Sequence, residues 1–166
     1  MPASEQGVSL NRYMLVPRTL IFITRGGKIL LLKGDKNKRL WAGLYNGIGG
    51  HVEQGEDVLS AARRELLEET GLSSIDLRLC GILTVDTQTN PGVCIFIING
   101  DYTQGAIMPS TEGSLEWVSV FELAHLPLVA DLPVLLPKIL ESKKGDSLFF
   151  AHSTYDKNGN LMLTFG

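Results

Sequence analysis

The sequence predicts an α/β (α+β) fold in which a mixed β-sheet packs between helices. Short apolar runs of strand character recur along the chain. Two helical segments interrupt them, and glycine, proline and asparagine turns separate the pieces. At 166 residues and 44% hydrophobic content, the chain has enough material for one core. Residues 1–166 therefore read as one domain, with 1–10 as a flexible start.

Tyr13 to Thr24 is the first strand. Arg25-Gly26-Gly27-Lys28 is a hairpin turn into the second, Ile29 to Lys33. Gly34 to Arg39 is a charged loop, and Tyr45 to Ile48 a short strand before two glycines. A helix follows. Glu56 and Asp57 suit its first turn, where negative charge favours the helix dipole, and Gly71 stops it. Leu59, Ala62, Leu66 and Thr70 recur at spacings of three and four, which gives a buried stripe. Ile75 to Asp86 and Val93 to Tyr102 form a strand pair around Asn90-Pro91-Gly92, and Leu115 to Ser119 is a further strand. Asp131 to Glu141 is the second helix. Pro133 is tolerated in its first turn, whereas Pro137 is awkward enough to kink it. Ser147 to Tyr155 and Leu161 to Phe165 flank Asp156-Lys157-Asn158-Gly159-Asn160, a hairpin signal.

Composition excludes several functions. A net charge of −3 argues against binding nucleic-acid polymers or acidic membranes. No apolar run is long enough to span a bilayer, and the N-terminus lacks the basic start and apolar core of a secretory signal. Cys80 and Cys94 sit in strands among aliphatic residues, so free thiols in a reducing cytoplasm are expected. Two cysteines without metal spacing, and the scattered His51, His125 and His152, speak against zinc.

Gly50 to Leu72 concentrates Glu56, Glu65, Glu68 and Glu69 around one helix. Like charges at helical spacing repel, and a hard divalent cation with carboxylate ligands is the simplest compensation. Arg64 lies four residues before Glu68, where it pairs with that residue or reaches another glutamate.

The window matches Gly-x5-Glu-x7-Arg-Glu-U-x-Glu-Glu-x-Gly-U, with U a bulky aliphatic, through Gly50, Glu56, Arg64, Glu65, Leu66, Glu68, Glu69, Gly71 and Leu72. The chain thus resembles the Nudix hydrolases. The resemblance implies an α/β/α sandwich and a metal-dependent pyrophosphohydrolase. It uses magnesium, with manganese as a substitute, and its partner is a small nucleotide substrate rather than a polymer or a membrane. By the same resemblance Glu65 and Glu69 are the leading metal ligands, joined by Glu68 and the Gly50 carbonyl. Glu56 orients Arg64 and the metal waters. Glu68, Glu69 and Glu112 compete as general base. A loop glutamate at the place of Glu112, before a Trp-containing strand, reaches the metal in MutT-like members, and its competing role is an ordinary exposed loop residue.

Trp41 to Gly50 resembles the approach to the box in enzymes that hydrolyse 8-oxo-dGTP. There the residue matching Asn46 contacts the purine; the alternative is a turn asparagine before glycine. Leu126 to Pro137 resembles a base-reading segment in which Asp131 is the matching acid. Asp131 is equally placed to cap the second helix. This chain has Leu128 or Val129 and a single acid where the animal-type enzymes have a tryptophan and two acids. Phe22, Tyr45 and Trp117 are divided between base stacking and the core. Lys33 and Arg39 are the cations nearest the expected cleft and candidates to hold the phosphates. The resulting expectation is a purine triphosphatase releasing a nucleoside monophosphate and pyrophosphate, with 8-oxo-dGTP as a candidate substrate. Hydrolysis of ADP-ribose or another nucleoside-diphosphate derivative, and a silent nucleotide-binding regulator, are the alternatives.

Overall fold

The computed structural model describes residues 2, 5–9, 11–37 and 41–166. Arg39, expected to hold phosphates, lies outside them. The strands are β1 (Leu15–Arg25), β2 (Lys28–Gly34), β3 (Tyr45–Asn46), β4 (Arg78–Val85), β5 (Gly92–Asp101), β6 (Gly113–Ser119), β7 (Phe149–Tyr155) and β8 (Leu161–Phe165). The helices are α1 (Val58–Thr70) and α2 (Leu132–Glu141).

Among the described residues the strands form one eight-stranded sheet, ordered β3-β2-β1-β5-β4-β7-β8, with β6 pairing on β2. It is mixed: β1 runs parallel to β5, and β4 parallel to β7. Helices cover both faces. Leu132, Leu135, Leu136 and Ile139 of α2 pack with Leu20, Phe22, Ile29, Leu31, Leu83 and Ile97. Ala62 and Leu66 of α1 pack with Ile21, Ile23, Leu30, Ile48 and Ile98. The run Leu20–Ile23 is apolar without alternation because each face meets a helix. The expected α/β/α sandwich is the fold observed.

Some boundaries differ from the sequence reading. Helix α1 starts at Val58, with Asp57 as its N-cap accepting from the Leu59 and Ser60 amides at 2.9 and 3.0 Å. A short carboxylate just before the helix satisfies amides that have no partner within it. The buried stripe is Ala61, Ala62, Leu66 and Thr70, with Leu59 only partly buried. Helix α2 starts at Leu132, one residue later than expected, and runs to Glu141 with Pro137 inside it as expected. Ile75 and Leu77 precede β4 but are buried against the α1 core.

One feature of the pairing sets the location of the site. Strand β2 pairs with β1 only from Ile23↔Leu30 to Arg25↔Lys28. The N-terminal half of β1 instead bridges the glycine-bearing segment, Ile21 to Ile48 and Arg18 to His51. That segment enters where β1 and β2 part and leads directly into α1.

Candidate active site

Gly50 is pinned to β1, its carbonyl accepting the Thr19 amide at 2.8 Å. The glycine also makes room for a neighbour. A Cβ at position 50 would lie 2.5 Å from Cδ and 2.6 Å from Oε2 of Glu65. Only glycine allows that carboxylate to rest against the backbone. At the other end of α1, Gly71 caps the helix in the left-handed conformation (φ 75°), and its amide donates to the Leu67 carbonyl. A Cβ there would strike the Met108 side chain at 2.8 Å. The Met108 amide donates to the Thr70 carbonyl at 2.8 Å. The end of α1 thereby seats the loop that carries Glu112.

Arg64 is the hub of the glutamates. It meets Glu56 through Nη2 at 2.7 Å and Nε at 3.2 Å, and Glu65 and Glu68 through Nη1 at 2.8 and 3.3 Å. Its Nη2 also donates to the His51 carbonyl at 3.0 Å. The bonds to Glu56 and Glu65 raise the Arg64 pKa, so it stays a cation. The same guanidinium, followed by the Glu53 amide, lowers the pKa of Glu56. Among the described residues no three His, Cys, Asp or Glu side chains converge as a ready metal cage. Arg64 pairs with Glu56, Glu65 and Glu68.

Glu69 lies one turn after Glu65 on α1, and Glu112 lies just before β6. Both line a cavity of about 680 Å³, within the size range of small-ligand sites. Asn46 and Asp131 line its flanks. Its lining also includes Val85, Val93 and Ile95, with Ser153 and Tyr155 of β7 and Leu161 of β8, all from strands beyond β1 as seen from β2.

Asn46 accepts the Gly47 amide at 2.8 Å, which fixes its side chain as an asparagine turn does while its amide nitrogen still has hydrogens to donate. Asp131 precedes α2 but makes no side-chain cap bond, so the capping alternative is not realised. Burial raises the pKa of its carboxyl, an effect its own amide and that of Leu132 oppose.

Other candidates lie elsewhere. Lys33 is not among the lining residues; its Nζ sits 5.0 Å from the centre of the Tyr45 ring. Strand alternation explains this, since Leu32 and Gly34 line the cavity and Lys33 projects the other way. Glu65 and Glu68 are likewise not lining residues. Phe22 and Tyr45 are core, and Trp117 packs against the α1 core. Burial pushes the Cys80 thiol up to about 11, and both cysteines are free.

The sequence reading missed two contributors. Arg18 is the one cation among the described lining residues, 5.8 Å from the half-exposed Trp41 ring. The β7–β8 hairpin was read only as a hairpin. Its wall depends on Val85 pairing with Ser153, far apart in the chain.

The NUDIX domain family model matches residues 14–139. The chain belongs to the Nudix family. It is 32% identical over 127 residues to the oxidized purine nucleoside triphosphate hydrolase of Mus musculus, covering 76% of this chain and 80% of that one. It is 29% identical over 121 residues to the NAD-capped RNA hydrolase NudC of Pseudomonas aeruginosa, covering 71% of this chain but 41% of that one. The structure of a mutator MutT protein from Bacillus halodurans superposes with a TM-score of 0.76 at 26% identity, covering 91% of this chain and 97% of that one. The protein is thus a Nudix hydrolase, an enzyme of phosphoanhydride cleavage. Nudix hydrolases generally use divalent cations. The donor set fits one: hard carboxylate oxygens at i, i+3 and i+4 of α1, and a glycine that seats the Glu65 carboxylate. No helix among the described residues is long and apolar enough to cross a membrane.

Proposed function

We propose that this Nudix hydrolase cleaves purine nucleoside triphosphates into the monophosphate and pyrophosphate in the cytoplasm, with 8-oxo-dGTP among its candidate substrates. The observation that carries this reading is the mixed lining of the cavity. It combines the carboxylates of Glu69 and Glu112 with the polar side chains of Asn46 and Asp131 and with the apolar Val85, Val93 and Ile95. A nucleotide has matching halves, a phosphate tail and a flat base with polar edges. The likeness to the mouse hydrolase supports the same reading.

Glu65 and Glu69, with Glu68, Glu112 and the Gly50 carbonyl, are the residues that would hold magnesium. When bound, the ion neutralises phosphate charge and acidifies the attacking water. Arg64 positions Glu65 and Glu68, and Glu56 steadies Arg64 from the opposite side. Water supplies the oxygen for the cleaved anhydride, and one of its protons goes to a carboxylate. Of the three competing bases, Glu69 and Glu112 line the cavity, whereas Glu68 is exposed and bonded to Arg64. Their placement favours Glu69 or Glu112. Arg18 offers a positive partner to an anionic substrate, the role first assigned to Lys33.

Asn46 and Asp131 recognise the base edge in this reading. Asn46→Ala and Asp131→Ala should each raise KM for purine triphosphates by the loss of one hydrogen bond, about 0.5–1.5 kcal/mol if neutral. The gap between purines and pyrimidines should narrow. A magnesium assay with canonical and oxidised triphosphates and ADP-ribose tests the whole reading. Pyrophosphate released from a purine triphosphate is expected. The NudC likeness supports a second reading, a nucleoside-diphosphate derivative as substrate; AMP from ADP-ribose with triphosphates untouched would favour it. Tight nucleotide binding without turnover would favour a silent regulator.

A further inference from the structure

Strand β3 has only two residues, paired to β2 at Leu32↔Asn46 and Lys33↔Tyr45. So short a ladder holds its register weakly, yet Asn46 at its end is a cavity wall. Tyr45 supplies other anchors. Its amide donates to the Pro127 carbonyl at 2.8 Å, and its carbonyl accepts the Val129 amide at 3.1 Å. These bonds place the Leu126–Val129 segment, which leads directly to Asp131. The Tyr45 ring is 5% exposed. Its hydroxyl donates to Glu116 Oε2 at 2.7 Å, and Ser114 Oγ donates to the other oxygen at 3.2 Å. Glu116 lies on β6, the strand entered from the Glu112 loop.

We propose that Tyr45 is a positioning residue for base recognition. Its bond to Glu116 locks β3 and the Leu126–Val129 segment onto β6, and so sets the spacing between Asn46 and Asp131. A partly buried carboxylate on β6 has one well-aligned donor from β3, and that donor's backbone grips the segment before α2. A shift of Tyr45 therefore moves both base-reading side chains together. The phenol stays the donor, because its bond to Glu116, helped by burial, raises its pKa against the opposing effect of Lys33. The inference rests on the purine reading above.

The test compares Tyr45→Phe, Glu116→Ala, Glu116→Gln and the Tyr45→Phe/Glu116→Ala pair, with dGTP and dCTP in magnesium. Phenylalanine keeps the buried ring and loses only the hydroxyl bond. Glutamine keeps an oxygen to accept the phenol and an amide to meet Ser114. Tyr45→Phe and Glu116→Ala should each raise KM for dGTP by about two- to tenfold. Changes in kcat and in KM for dCTP should stay within about twofold. The double variant should be no worse than either single one, and Glu116→Gln should match the parent. The proposal is overturned by an unchanged dGTP KM in Tyr45→Phe, by equal losses on dGTP and dCTP, by additive losses in the pair, or by Glu116→Gln behaving as Glu116→Ala. A parent enzyme without purine preference would defeat the functional reading alone. The clamp is then judged by amide hydrogen exchange at Leu128 and Val129. Faster exchange in Tyr45→Phe supports it, and unchanged exchange refutes it.

Discussion

Gly50→Ala is the sharpest perturbation the site offers. Position 50 is not in the left-handed region, so alanine brings no backbone strain. Its Cβ would lie 2.5 Å from Glu65 Cδ, and ordinary contact begins near 3.4 Å. The carboxylate must therefore retreat by about 1 Å, the scale of misplacement that costs an active site roughly 10²-fold. The cost to stability is smaller. Movement of Glu65 weakens its 2.8 Å pair with Arg64, whose side chain is 32% exposed and keeps Glu56 and Glu68. Such a partly screened pair is worth about 1 kcal/mol, or a fall in Tm of about 2–4 °C for a domain of this size. Pyrophosphate release from dGTP in magnesium should fall about 100-fold in kcat/KM, with thermal unfolding nearly unchanged. Activity within about threefold of the parent, alongside the small Tm change, would refute the claim that the Glu65 carboxylate must stay against Gly50.

Glu69→Gln keeps shape and removes one charge from the Glu65, Glu68, Glu69 cluster. Turnover should fall by at least the roughly 10–100-fold typical of disturbing even an outer-shell metal partner, while Tm without metal holds or rises; near-normal kcat at saturating magnesium would remove Glu69 from the reaction. Asp131→Asn tests the half-buried carboxyl through its raised pKa. The folded state holds the Asp131 proton more tightly than the unfolded chain does. Stability is therefore lost as pH rises from the ordinary aspartate range through the raised value. The variant should melt higher than the parent at neutral pH, with the difference vanishing below the ordinary aspartate range; a difference independent of pH would contradict this account.

The parts of the protein legible in the sequence are those built by short-range forces. The spacing of Glu56, Arg64, Glu65, Glu68 and Glu69 specified a helix with its acids gathered, and Gly71 marked its end because only a residue at ease with φ 75° closes it cleanly. Asp57 was placed one step too far inside the helix. Its carboxylate belonged to the amides just beyond it, a choice made by local geometry rather than by the charge preference that suggested the first turn. The turns at Gly26-Gly27 and at Asp156–Asn160 were equally local.

By itself, then, the sequence determined the strands, the two helices and the box. Tertiary structure decided which acids share a space. Arg64 collects Glu56, Glu65 and Glu68, while Glu69 and Glu112 line the cavity. It also decided that Arg18 rather than Lys33 lines the cavity, and that β7 and β8 contribute to its lining. These facts depend on register between strands distant in the chain, such as Val85 beside Ser153 or Arg18 beside His51. A slip of one residue would turn each side chain to the opposite face. No local pattern fixes that choice, because it comes from burying both faces of the sheet at once.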